Sequence, residues 1–68
     1  NFFERGDSII FKFDKSLKGK SVSIYSDNKF ICSAVIGKSG EIKVSKSSEI
    51  GKEIMKHIIT DKKLSCFI

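Results

Sequence analysis

Sixty-eight residues with five net positive charges make one small domain, in which folding can bury only about 60% of the surface that the unfolded chain exposes. At 40% hydrophobic and 31% charged the chain is neither a disordered tail nor a membrane span, whose helix needs roughly 20 consecutive apolar residues. Twelve of the thirteen bases are Lys, which suits phosphate attraction, whereas the lone Arg5 argues against bidentate reading of guanine edges.

The chain opens Asn1-Phe2-Phe3-Glu4, without Met and without a basic stretch followed by an apolar one, and so reads as a trimmed, processed or excised start. Asn1 to Asp7 is a polar lead-in whose Phe2 and Phe3 either fold back over the core or face a partner. Folding back is favoured, because so small a domain has few apolar groups to spare. Ser8 to Asp14 alternates, with Ile9, Phe11 and Phe13 on one face and Ile10, Lys12 and Asp14 on the other, and predicts a strand. Lys15 to Lys20 is a basic connector in which Gly19 can supply positive φ. Ser21 to Ser26 predicts a second strand, with Val22 and Ile24 inward and Ser21, Ser23 and Tyr25 outward. Asp27-Asn28 tolerates the left-handed backbone of a two-residue hairpin turn, so this strand should fold straight back on the next.

Phe30 to Lys46 holds two apolar arms flanking Gly37-Lys38-Ser39-Gly40, the pattern of a tight antiparallel hairpin. In the first arm Phe30, Cys32, Ala34 and Ile36 alternate with Ile31, Ser33 and Val35, so both faces are apolar and the strand belongs inside a sheet. In the second arm Ile42 and Val44 point inward, and Glu41, Lys43 and Ser45 face water. Ser21 to Ser45 thus reads as a three-stranded meander, uninterrupted by any proline. Beyond it the period changes. Ile50, Ile54, Met55, Ile58 and Ile59 share one side of a helix predicted from Ser47 to Ile59, capped by Ser47 or Ser48, with Gly51 costing about 1 kcal/mol relative to Ala. Thr60 to Lys63 turns the chain into a last strand, Leu64 to Ile68.

The expected fold is α+β: one domain, residues 1–68, with a small antiparallel sheet of four or five strands and one amphipathic helix near the C-terminus. An alternative is an all-β, pseudo-duplicated barrel. The stretches Ile9 to Asp27 and Glu41 to Asp61 share a loose plan of strand, Lys-Ser, Gly-Lys and Asp, which would make Glu53 to Thr60 a strand.

Catalytic patterns are wanting. The Gly37 to Gly40 loop leads into a strand, where a phosphate-binding P-loop would lead into a helix, and no Gly-x-Ser-x-Gly elbow occurs. His57, the single histidine, has no second histidine or carboxylate at useful spacing, and the turn-forming Asp14, Asp27 and Asp61 are explained by local hydrogen bonds to backbone. Cys32 and Cys66 sit in apolar stretches and read as reduced core thiols; with thirty-three residues between them, they lack the close ligand pairs of structural zinc. No metal, no cofactor and no enzyme activity are expected.

What remains is a distributed surface. Lys12, Lys15, Lys18 and Lys20 are close in sequence, Lys38, Lys43 and Lys46 line the wet side of the expected hairpin, and Tyr25 stands among outward serines where it can stack on a base. If the first connector and the hairpin share one side of the sheet, these seven lysines form a basic stripe. The stretch IGKSGEIKVSKSSEIGK, Ile36 to Lys52, resembles the DNA-contacting hairpin of the AbrB-like swapped-hairpin regulators and antitoxins, with Gly37, Gly40, Ile42, Val44 and Lys46 matching that pattern and Ser45 standing where the family usually has Pro. The resemblance covers about a quarter of the chain, and implies a dimeric β-barrel laying Lys38, Lys43 and Lys46 on DNA in transcription regulation. The expected function is therefore non-catalytic nucleic-acid binding with little sequence discrimination, in a cytoplasmic protein with no membrane partner. The alternative is an interaction module, a homodimer or a subunit of a larger assembly, joined through a sheet edge or through Phe2, Phe3 and Phe67.

Overall fold

The structure is a computed structural model that describes residues 2–68. Six strands and one helix follow in the order β1 (Phe2–Arg5), β2 (Ser8–Lys12), β3 (Ser21–Ser26), β4 (Lys29–Val35), β5 (Glu41–Ser45), α1 (Glu49–Ile59) and β6 (Leu64–Phe67), with a 3₁₀ turn, Lys15–Leu17, between β2 and β3. They form two antiparallel sheets of three strands each, β1-β2-β5 and β4-β3-β6. The expected α+β class holds at that level, with two sheets in place of one sheet of four or five strands. Among the described residues no closed barrel forms, and Glu49–Ile59 is helical, which removes the strand that the duplicated plan required.

The polar lead-in is itself a strand. β1 turns through Gly6, at φ +56°, and pairs along β2 from Phe2↔Phe11 to Arg5↔Ser8. On the other side β2 pairs with β5, from Ser8↔Ser45 to Lys12↔Glu41. Ile9, Phe11 and Ile42 point from this sheet into the core, and Phe2 leans on Phe11 at 5.7 Å between ring centres. Ile10, expected on the face that carries Lys12 and Asp14, is fully buried on that side of β2, where Phe3 and Lys43 are its cross-strand neighbours. A Lys stem can cover apolar surface while its ammonium stays in water, which accounts for that burial.

In the second sheet the Asp27-Asn28 turn forms as expected, with both residues left-handed at φ +47° and +73°, and returns β3 into β4. A bulge follows between Ile24 and Tyr25: Phe30 faces Tyr25, Cys32 faces Ile24, and Ile31 is the extra residue. The bulge reverses the expected facing of Phe30, which turns outward and is 53% exposed, while Ile31 packs on the core. β6 lies along the other side of β3, from Ser26↔Leu64 to Ser23↔Phe67.

The expected Phe30 to Lys46 hairpin, and with it the three-stranded meander, does not form. β4 and β5 lie in different sheets, Gly37 to Gly40 is the corner between them, and β4, expected inside a sheet, is an edge strand paired with β3 alone. The physical reason is that β4 is already paired along β3 while β5 has β2 to pair with, so the glycines turn the chain from one layer to the other. The thinnest dimension of the molecule, 18 Å, suits two layers packed about 10 Å apart.

Helix α1 starts where β5 ends. Ser48 caps it, its Oγ accepting from the Gly51 N–H at 3.0 Å and donating to the Ser45 carbonyl at 2.7 Å. Ile54 is fully buried in the core, and Met55 and Ile58 pack at its edge. Ile50 and Ile59, expected inward, are 44% and 76% exposed, because the helix crosses one end of the two layers rather than lying along a face. Asp61, left-handed at φ +60°, ends it, and the Lys63 carbonyl accepts the Asp27 N–H at 3.0 Å where the chain enters β6.

Cys32 and Cys66 are both free, and both pair with Ile24 from opposite sides of β3. Two strand spacings put their Cα atoms about 9 to 10 Å apart, beyond the roughly 7 Å limit of a disulfide. Burial pushes both thiols up from their ordinary value near 9.0.

Candidate functional site

The connectors β2 to β3 and β4 to β5 run over the same end of the molecule, and backbone hydrogen bonds tie them together. The Phe13 N–H donates to the Gly40 carbonyl at 2.7 Å, Gly19 N–H to Ile36 carbonyl at 2.8 Å, and Ile36 N–H to Lys20 carbonyl at 3.0 Å. Gly40 makes the contact possible. It sits at φ +81°, and a Cβ there would lie 2.7 Å from the Phe13 carbonyl oxygen and 3.1 Å from the Lys15 backbone nitrogen. Lys15, Lys18 and Lys20 from the first connector and Lys38 from the second are thereby gathered on one exposed end.

The acids are distributed otherwise. Asp14 and Glu41 share that end with Lys12 and the four connector lysines, while Glu4 is on β1 and Asp7, Asp27, Glu49, Glu53 and Asp61 belong to the turns and the helix at the far end. Glu41 is engaged by Lys12 at 3.4 Å. Asp14 caps the 3₁₀ turn, its carboxylate accepting the Ser16 N–H at 2.8 Å, and that hydrogen bond holds its pKa below the usual value of 3.8. Lys15, Lys18, Lys20 and Lys38 make no ion pair among the described residues. Five lysines against two acids leave this end at +3, whereas the other eight bases, Lys43 on the first sheet among them, are set against six acids and leave +2 over the rest of the chain.

The expected stripe is therefore divided. Lys43 stands on the outer face of the first sheet beside Ile10, and Lys46 is at the far end, paired with Glu4. Tyr25 is on the outer face of the second sheet, at the end of β3 remote from Lys20. Phe2, Phe3 and Phe67 do not make one surface: Phe2 leans inward on Phe11, Phe3 lies under the Arg5 guanidinium at 5.2 Å on the outer face of the first sheet, and Phe67 is on the outer face of the second. His57 does have a carboxylate, since Glu53 one turn earlier reaches its Nε2 at 3.1 Å. That i,i+4 spacing was readable once the helix was predicted.

No family of proteins, curated protein or solved structure matches this chain.

The company Tyr25 keeps was not legible in the sequence. Phe30 and Phe67 meet its ring edge-on, with centres 5.7 and 5.4 Å away, and both are more than half exposed. Phe67 was readable, because an inward Cys66 puts the next residue outward. Phe30 was hidden by the bulge. No enclosed pocket forms among the described residues, and no three His, Cys, Asp or Glu side chains gather about one point. Among the described residues no helix is long and apolar enough to cross a membrane.

Proposed function

We propose that this chain is a non-catalytic nucleic-acid-binding domain that holds phosphates on its lysine-bearing end, with little discrimination among base sequences. The observation that carries the reading is the convergence of Lys15, Lys18, Lys20 and Lys38 from two connectors tied by backbone hydrogen bonds, with six of the eight acids elsewhere. A lysine ammonium is a point charge on a flexible stem, suited to phosphate oxygens and poorly suited to bidentate contact with a base edge. Excess charge concentrated at one end also orients the approach of a polyanion.

The test is a titration of labelled duplex and single-stranded oligonucleotides at two salt concentrations. Four phosphate contacts imply that raising salt about fourfold weakens single-strand binding roughly fifty-fold. Replacing Lys18 and Lys38 together by Glu should abolish most of that binding and flatten the salt dependence. Binding that survives this double change, or no binding at low salt, refutes the reading. The second outcome favours an interaction module, for which β1, β4, β5 and β6, each paired on one side only, offer open edges.

A further inference from the structure

The outer face of the second sheet carries no charged residue, in a chain that is 31% charged. Its cross-strand rows are Phe30 with Tyr25 and Ser65, Ser33 with Ser23 and Phe67, and Val35 with Ser21. No element among the described residues covers it, and Phe30, Phe67 and Val35 are 53%, 59% and 61% exposed. The rings form a herringbone: Tyr25 turns its edge to both phenylalanines, at interplanar angles of 75° and 82°. That arrangement fixes the two outer rings from one side and leaves them open to water on the other.

We infer that this face is a platform for the unpaired bases of single-stranded nucleic acid, which deepens the phosphate-binding reading above and rests on it. Bases inside a duplex are stacked on one another and cannot reach rings on a sheet, whereas unpaired bases stack on exposed aromatic side chains with little regard to sequence. The serines are what separate this occupant from a second protein. Four of the eight outward positions are Ser, a residue depleted in protein interfaces, and each hydroxyl both donates and accepts hydrogen bonds, as base edges and sugars require. The charges are on the rim. Lys18 and Lys20 precede β3 at one end, and Lys29 and Lys63 flank the Asp27-Asn28 turn at the other, where the Asp27 carboxylate is occupied by the Lys63 N–H at 3.1 Å. From Lys20 to Tyr25 along β3 is about 16 Å of strand. A single strand running beside β3 would meet lysines, then serines, then rings, and then lysines again.

Tyr25 is the only tyrosine and the chain has no Trp, so its emission reports directly on this face. The experiment uses the whole chain with a short oligothymidylate and with a duplex of equal length, comparing the parent protein, Phe30→Leu, Phe67→Leu and the Lys18→Glu/Lys38→Glu double variant. Leucine keeps apolar area at exposed positions and removes the ring. Expected are quenching of Tyr25 emission by the single strand only, and losses of single-strand affinity between about fivefold and a hundredfold for each ring, with duplex affinity unchanged. The lysine double variant should lose both ligands. If the leucine variants bind the single strand as the parent does and the emission is unmoved, the platform is wrong while the phosphate reading stands. If neither ligand binds at low salt, both fail. Concentration-dependent sedimentation that disappears in Phe30→Ser would make the face a contact between copies, and would also overturn the inference.

Discussion

Replacing Gly51 by Ala sets helix propensity against packing, and the structure decides the sign. In an isolated helix the change is favourable by about 1 kcal/mol. Here Gly51 is buried at the third position of α1, and an added Cβ would lie 1.8 Å from the Ser45 carbonyl oxygen, 2.8 Å from its carbon and 2.9 Å from the Lys46 Cα. Ordinary contact would require the helix and the end of β5 to part by more than about 1 Å, and the obstructing atoms are backbone, unable to swing aside. That oxygen also accepts hydrogen bonds from the Ser48 N–H at 3.1 Å and Ser48 Oγ at 2.7 Å, so displacing it loosens the cap as well. Overpacking costs about 1 to 3 kcal/mol and backbone obstruction belongs at or beyond the upper end, so the net loss should be about 2 kcal/mol or more. In a chain of this size that lowers the melting temperature by roughly 10 °C. Thermal and urea unfolding followed by circular dichroism measure it. A G51A protein as stable as the parent, or more stable, would show that α1 does not sit this close to β5.

Ser48→Ala removes an acceptor for the Gly51 N–H and should cost about 1 kcal/mol in urea unfolding, whereas Ser47→Ala should cost a few tenths at most. Asn28→Val puts a β-branched side chain at φ +73° and should cost about 1 to 2 kcal/mol, while Asn28→Gly should not destabilise. Because burial raises the thiol pKa values of Cys32 and Cys66 above 9.0, the unfolded chain ionises first as pH rises. Their contribution is full below about pH 9 and is lost as pH climbs through the folded values. Unfolding free energy should therefore fall as pH rises above about 9, less steeply in the Cys32→Ala/Cys66→Ala protein, and an equal slope in both would contradict the assignment. Gly40→Ala, at φ +81° against Phe13 and Lys15, should disturb the seat of Lys38 and weaken the proposed nucleic-acid binding together with stability. Intact affinity in a destabilised Gly40→Ala protein would show that the two connectors need not be joined.

What the sequence made legible was local. Alternation found β2, β3 and β5, the Asp27-Asn28 pair announced its turn, and the apolar spacing with Ser48 announced α1. Partner choice was not legible, since alternation identifies a strand without saying which neighbour it joins, and Gly37 to Gly40 serves a corner between layers as readily as a hairpin. The first strand was obscured because Phe2-Phe3-Glu4-Arg5 is too short to show a period. Gly51 looked like a cost because propensity is visible along a chain and the approach of Ser45 is not. For the candidate site, the crowding of Lys12 to Lys20 was visible, but its junction with Lys38 depended on hydrogen bonds across 20 or so residues of chain. The separation of Tyr25 from those lysines followed from strand direction, and a single bulged residue, Ile31, hid Phe30.

Standing on either flank of β3 with a full strand between them, Cys32 and Cys66 are held apart by the ladder itself. An oxidant that reaches either sulfur can add to it or join it to a thiol from outside, yet it cannot staple the chain to itself without first unzipping the central strand. The fold thus owes nothing to redox state for its cohesion, and oxidation that did cross-link these two sulfurs within one chain would be a marker of prior unfolding.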